Sequence, residues 1–289
     1  PLGWYCENLN ELIGFENEDE FLNKLLESKI KIITSEIEEK VKFISSVDKA
    51  SKLVQGKANI SIFIKDNTSE NYQSITPQSK YCTCQVLADH NNNGYFGGVR
   101  ELMKGVDMNK YDFSIISNID LELDEHCFEN LCNLNIKEDT GWIAPQIYSS
   151  FEKRDKNPRN LQRYSLTRLR IIKILYKFPL LNLLYTQTAY KRKRYQKHKD
   201  GIEIYAGHGS FIILTKEFYK RCGIINYPIF LFGEEIYLGE TCSRAGLKVI
   251  YEPSIKILDS EHVSTKALKK DFYNSCNLEA INYLIKNYY

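Results

Sequence analysis

The chain has 289 residues, of which 43% are hydrophobic and 26% are charged. This composition is that of a globular protein with a full hydrophobic core, so it excludes a disulfide-dependent miniature scaffold and a largely disordered chain. The net charge of +2 hides a segregation, because residues 151–199 carry 15 Lys/Arg and 2 Asp/Glu, a balance of +13, and the remainder carries −11. The eight cysteines include no Cys-x-x-Cys pair, which favours reduced thiols in a cytoplasmic compartment.

The hydrophobic periodicity predicts helices that alternate with short buried strands. Helices are predicted over residues 17–29, 38–55 and 98–106. Strands are predicted over residues 30–35, 60–64, 84–87 and 112–117. This order predicts an α/β fold with a mainly parallel sheet flanked by helices, in which ligands bind at the carboxyl ends of the strands.

Polar residues follow two of the predicted strands. Asp66 and Asn67 come after the second strand and could hydrogen-bond a nucleobase edge, although Asp and Asn are also common turn formers. Asn118 and Asp120 follow the fourth strand and project to the same side, where they could hold Mg²⁺ or Mn²⁺ together with substrate phosphates. An aspartate that caps the next helix is the structural alternative for Asp120.

A glycine-rich segment lies at the mouth of a predicted helix. Asn93 and Gly94 begin it, and its backbone amides suit a pyrophosphate, with Arg100 as a charge partner. An ordinary surface loop is the alternative for this segment.

Two adjacent carboxylates, Glu234 and Glu235, lie within an apolar and aromatic stretch. Desolvation there is expected to raise the pKa of at least one carboxyl towards that of a general base. A glutamate pair that complements a helix dipole is the alternative.

The order of these segments resembles family 2 glycosyltransferases with a GT-A fold, over about residues 30–265. The resemblance rests on Asp66–Ser69, Asn93–Gly98, Ser117–Asp120, Gly141–Pro145, Gly207–Phe211, Phe232–Glu235 and Tyr251–Pro253. It is closest to the bacterial branch of rhamnosyl- and galactofuranosyltransferases. It implies inverting transfer from a UDP- or dTDP-sugar to a saccharide acceptor, lipid-linked in capsule or O-antigen biosynthesis.

The resemblance also implies roles for individual residues. Glu235 would be the catalytic base, with Glu234 beside it. The nucleotide would contact Thr34, Ser35, Asp66, Asn67, Asn93, Gly94, Arg100 and Asn118. The Mg²⁺ or Mn²⁺ would be held by Asp120 and by either Asp259 or His262. The donor and acceptor sugars would lie near Trp142, His208, Gly209 and Ser210.

The expected organisation is one GT-A domain over residues 30–265, with an N-terminal helical extension over 1–29 and a C-terminal helix over 266–289. That last helix would pack Leu268, Phe272, Ile281 and Leu284 on the body or on a partner, which leaves a homodimer open.

Residues 151–199 are interpreted as a basic amphipathic insertion. Helical projection of 161–185 places Arg163, Arg170, Lys173 and Lys177 on one side and Ile171, Ile172 and Leu175 on the other, with Lys191–Arg194 following. This pattern favours an anionic membrane surface, on the inner face of the plasma membrane. The alternatives are a helix packed on the core and a site for single-stranded nucleic acid, and the acidic remainder of the chain disfavours the latter. A non-catalytic nucleotide-sugar-binding module is the remaining alternative function.

Overall fold

The computed structural model describes residues 41–67, 79–88, 90–178, 181, 200–260 and 269–289. Several sequence predictions lie outside these residues and stay predictions. They are the helix over 17–29, the strand over 30–35, the N-terminal extension over 1–29, Thr34, Ser35, Lys191–Arg194, His262 and Leu268.

The described residues alternate helices and strands. The helices are α1 (41–53), α2 (Tyr95–Met103), α3 (Cys127–Asn133), α4 (Leu166–Lys177), α5 (Lys216–Cys222), α6 (Glu234–Arg244) and α7 (Lys270–Tyr288), with a 3₁₀ turn at Met108–Lys110. The strands are β1 (Ser61–Lys65), β2 (Thr83–Leu87), β3 (Phe113–Ser117), β4 (Leu121–Leu123), β5 (Thr140–Ser149), β6 (Arg154–Asp155), β7 (Ile202–Ile204), β8 (Phe211–Thr215) and β9 (Lys248–Asp259). The predicted α/β class, with sheets flanked by helices, is confirmed.

The strands form two sheets within the described residues. The larger has the order β3-β8-β5-β9-β4, with β6 added to β5 and β7 to β9, and the smaller pairs β1 with β2. The β1–β2 and β5–β9 pairs are parallel, whereas the other pairs are antiparallel. The larger sheet is therefore mixed rather than mainly parallel. Hydrophobic periodicity identifies a strand but does not encode its direction, so the antiparallel pairing of β3 with β8 could not be read from it.

Strand β8 shows how the larger sheet is stabilised. All five of its residues are buried, and alternate side chains enter different apolar clusters. Ile212 and Leu214 pack with Trp142 on one side, whereas Phe211 and Ile213 pack with other buried residues on the second side. Burial of each such side chain stabilises the fold by about 1.5–3 kcal/mol. The sheet thus forms a rigid base whose strand ends carry the polar residues.

The C-terminal helix α7 packs back on the body. Leu284 and Ile281 are buried, and the Tyr283 ring meets the Tyr227 ring edge-on at 5.4 Å between centroids. Phe272 on the same helix is 43% exposed, and its ring meets the Phe230 ring edge-on at 6.1 Å between centroids. Helix α4 in turn packs against α7.

Arg163 does not belong to a basic helical face as the projection predicted. Helix α4 begins only at Leu166, after Ser165, whose hydroxyl accepts from the Arg168 amide. The Arg163 guanidinium donates instead to both carboxylate oxygens of Glu240, at 2.6 and 3.0 Å, and to the Tyr288 carbonyl. Because Glu240 is only 3% exposed, Arg163 neutralises a buried carboxylate.

Helices long and apolar enough to cross a membrane do not occur among the described residues.

Candidate active site

One continuous cleft is lined by residues from the ends of several elements. Asp66 and Asn67 follow β1, Asn118 and Asp120 lie between β3 and β4, and Gly94 precedes α2. The cleft also contains His208, Gly209, Ser210, Glu234, Glu235 and Asp259. Segments distant in sequence therefore line the same cleft.

The carboxylate pair is aimed by a tight turn before α6. Phe232 and Gly233 both adopt left-handed backbone conformations, with φ of 70° and 82°. The Tyr227 hydroxyl donates to the Phe232 carbonyl at 2.8 Å and holds this turn. Left-handed backbone is costly for a non-glycine residue, and such strain is common at functional sites. The turn places Glu234 and Glu235 in the first turn of α6, where the helix dipole favours negative charge.

The two glutamates have different surroundings. Burial, followed by the negative charge of Glu235, raises the pKa of Glu234 above its usual value. Arg159 lies near Glu235, with 3.8 Å between Nε and Oε1, and the negative charge of Glu235 raises the pKa of the guanidinium. Burial therefore favours the neutral form of Glu234. One site thus holds a buried carboxyl group beside a second carboxyl group that lies near a guanidinium.

Gly209 lies directly against the Glu234 carboxyl group. A Cβ atom on Gly209 would be 2.6 Å from Oε1 and 3.0 Å from Cγ of Glu234. Only glycine therefore allows the backbone before β8 to approach this side chain so closely.

The Tyr95 hydroxyl joins α2 to this region. It donates to the Gly209 carbonyl at 2.8 Å, and the Tyr95 amide donates to the Phe230 carbonyl at 3.0 Å. Burial, followed by the charges of Glu234, Glu235 and Asp120, raises the pKa of Tyr95 well above its usual value. All three carboxylates therefore lie within electrostatic range of one phenol.

The segment before β8 is fixed by a hydrogen-bond network. The Ser210 carbonyl accepts from the Asn118 amide at 2.9 Å, which connects it to the end of β3. The His208 amide donates to Asn157 Oδ1 at 2.7 Å, and the Ser210 amide donates to His208 Nδ1 at 3.2 Å. Because Nδ1 accepts, the neutral imidazole carries its proton on Nε2.

His208 is kept neutral by its surroundings. Burial, followed by the positive charges of Arg159, Lys156 and Arg154, lowers the pKa of His208 well below its usual value. The imidazole can therefore donate one hydrogen bond from Nε2 to a ligand in the cleft at neutral pH.

Asp259, a predicted metal ligand, is paired with a cation of the chain itself. Lys156 Nζ lies 2.6 Å from Asp259 Oδ2, and both side chains are largely buried. Among the described residues, no group of three or more His, Cys, Asp or Glu side chains could hold a metal ion. The oxygen donors of Asn118 and Asp120 fit a cation that takes only one or two protein ligands and completes its shell with phosphates and water.

Comparison with known proteins identifies no family for this chain. No family model matches it, and no curated protein matches it. Among solved structures, A197 from STIV is 14% identical over 69% of this chain and 84% of that chain, with a TM-score of 0.36. GalNAc-T7, solved with UDP, GalNAc and Mn²⁺, is 10% identical over 68% of this chain and 36% of that chain, with a TM-score of 0.38. Both scores are below 0.5, so functional inference rests on the geometry of this chain.

Three residues predicted for the site do not line the cleft. Trp142, expected near the sugars, is 0% exposed because β5 is covered on both faces. Asn93 is exposed outside the cleft, and Arg100 points to Asn226, with 3.4 Å between Nη1 and Oδ1.

Sequence reasoning missed several polar residues of the cleft, among them Tyr95, Lys156 and Arg159. Tyr95 lies inside the predicted glycine-rich segment, and its position between Gly94 and Phe96 was the available signal. Lys156 and Arg159 lie in the basic segment, where sequence alone gave no means of separating them from the other cations.

Proposed function

We propose that the chain is an inverting glycosyltransferase of the GT-A type, which transfers a sugar from a UDP- or dTDP-sugar to a saccharide hydroxyl. The observation that carries this proposal is the pair Glu234 and Glu235 in the same cleft as Asp66, Asn118 and Asp120. A base beside polar strand ends is the arrangement that activation of a hydroxyl and binding of a nucleotide diphosphate require. The domain would extend over residues 30–265.

The nucleotide would bind along the strand ends. The Asp66 amide donates to the Leu87 carbonyl at 3.0 Å, which fixes Asp66 at the end of β1. Asp66 and Asn67 would face the nucleobase. Gly94 and Asn118 would border the diphosphate. Asp120 and Asn118 would hold Mg²⁺ or Mn²⁺, which when bound would neutralise negative charge on the leaving diphosphate. Thr34, Ser35 and His262 stay candidates from the sequence resemblance alone.

Glu235 would act as the base. Burial raises the pKa of Glu234, which leaves Glu235, 3.8 Å from Arg159 Nε, as the candidate. Its carboxylate would accept the proton of the acceptor hydroxyl while the hydroxyl oxygen bonds to the anomeric carbon. The bond from that carbon to the diphosphate breaks, and the departing oxygen keeps the electron pair. Attack from the opposite side inverts the anomeric configuration.

The remaining groups would orient the substrates. His208, which holds its proton on Nε2, would donate to a sugar oxygen, and the segment of Gly209 and Ser210 would form the floor beneath that sugar. Glu234, neutral through burial, would donate a hydrogen bond without competing for the proton. The acceptor would be a lipid-linked saccharide of a capsule or O-antigen, as in the bacterial rhamnosyl and galactofuranosyl branch, on the cytoplasmic side of the membrane.

The test is a panel of nucleotide sugars, incubated with saccharide acceptors and Mn²⁺ or Mg²⁺ and read out as released UDP or dTDP. We expect UDP or dTDP to be released from a uridine or thymidine donor, and this release to depend on the presence of the acceptor. Donor binding by calorimetry without release across the whole panel would favour a non-catalytic binding module instead.

A further inference from the structure

The outward face of helix α4 is apolar. Ile171 is 50% exposed and Ile174, less than one turn further on, is 48% exposed. Phe178, which directly follows the helix, is also 48% exposed. Single exposed apolar side chains are ordinary on a protein surface, whereas a contiguous patch of large ones is often functional.

Basic residues border this apolar face. At 3.6 residues per turn, Arg170 and Lys177 lie on one side of it and Arg168 on the other. All three are exposed, and Arg168 stacks on the Tyr164 ring at 4.1 Å from its centroid. The helix has no acidic residue. An apolar stripe between cations is complementary to an anionic surface with an apolar interior.

The opposite face of the same helix lines the cleft. Leu169, Ile172 and Tyr176 contribute to the cleft wall, and the Tyr176 ring lies 6.1 Å from that of Tyr273 on α7. Whatever binds the outward face of α4 therefore lies one helix diameter, about 10 Å, from the cleft wall.

We propose that α4 docks the protein on an anionic lipid surface, with Ile171, Ile174 and Phe178 inserted at the level of the headgroups. The stripe is too small for a stable dimer, since three half-exposed side chains offer roughly 300 Å² against about 800 Å² per partner in typical interfaces. The docking is independent of the proposed reaction. Only its benefit, access to a lipid-linked acceptor, rests on that function.

The test is sedimentation of the full chain with vesicles of phosphatidylcholine, with or without phosphatidylglycerol. We expect binding to the anionic vesicles alone, weakened by high salt through screening. Replacing Arg170 and Lys177 by Gln should weaken binding about 30-fold, since each basic residue near an anionic surface contributes about fivefold. Replacing Ile171, Ile174 and Phe178 by Gln should abolish binding.

Matched controls come from other exposed positions. One control, Ile224→Gln, removes an exposed apolar side chain away from α4. The other control replaces both Lys52 and Lys57 by Gln and removes two exposed charges away from α4. Both controls should leave vesicle binding unchanged. All the changed side chains are exposed, so we expect each variant to fold, and circular dichroism checks this.

Three results would overturn the docking proposal. The first is that the unchanged protein does not bind vesicles. The second is that binding persists in both α4 variants. The third is that light scattering shows a dimer, which the apolar variant converts to a monomer, while no vesicle binding occurs. Nucleotide release with a short soluble acceptor is measured on the same samples. Vesicle binding without nucleotide release would contradict the proposed reaction and support the docking. Nucleotide release without vesicle binding would support the reaction and contradict the docking.

Discussion

Replacing Gly209 by Ala tests whether the placement of Glu234 matters. The added Cβ would lie 2.6 Å from Oε1, whereas ordinary contacts begin at 3.4 Å, so the carboxyl group must retreat by about 0.8 Å. The backbone of Gly209 is not left-handed, so Ala itself causes no φ strain. A displacement of about 1 Å in a catalytic site can cost on the order of 100-fold in rate. We therefore expect turnover to fall by about 10- to 100-fold.

The assay measures two quantities for each variant, the kcat for nucleotide release and the unfolding temperature. Gly141→Ala is the matched control, because its Cβ would meet Leu247 at 3.0 Å in the core, away from the carboxylates. It should cost about 1–3 kcal/mol of unfolding free energy and leave the rate of the folded enzyme unchanged. Full turnover by Gly209→Ala, or an equal rate loss in both variants, would refute the reasoning that Glu234 must stay in place.

Three further changes test other parts of the account. Asp120→Ala should abolish Mn²⁺-dependent binding of UDP or dTDP in calorimetry, and full turnover in EDTA would contradict this. Arg163→Ala should lower the unfolding free energy by about 1–3 kcal/mol in urea, because it leaves the buried Glu240 without its cation, and Glu240→Gln should recover part of that loss. The pKa of His208 is lowered in the folded state, so the unfolded state binds the extra proton and stability should fall as pH drops below about 6.5. His208→Asn keeps an acceptor for the Ser210 amide and should reduce that dependence, and an unchanged pH profile would exclude His208 as its source.

Local chemistry was predictable from the sequence where it depends on neighbours in the chain. Asn118 and Asp120 line the cleft because a polar residue after a buried strand has to lie at the sheet edge. The glutamate pair is likewise placed by the adjacent glycine and by the helix that begins there. Both depend on short segments that a sequence shows directly.

Tertiary contacts were not predictable in the same way. Trp142 was expected beside a sugar, but β5 is covered on both faces, and a motif does not reveal burial on a second face. Asp259 was expected to hold a metal, but Lys156, 103 residues away in sequence, pairs with it. Arg159 and Tyr95 reach the carboxylates only through the folding of separate segments onto one cleft.

The most direct test of the proposed mechanism compares Glu235→Gln with Glu234→Gln in nucleotide release from the active donor, with donor affinity measured in parallel. If Glu235 is the base, Glu235→Gln should bind donor as the unchanged protein does and lose about 10²- to 10⁴-fold in turnover. Glu234→Gln, which keeps a neutral hydrogen-bonding side chain, should retain most of the activity. An inactive Glu234→Gln beside an active Glu235→Gln would contradict the account, as would full activity in both.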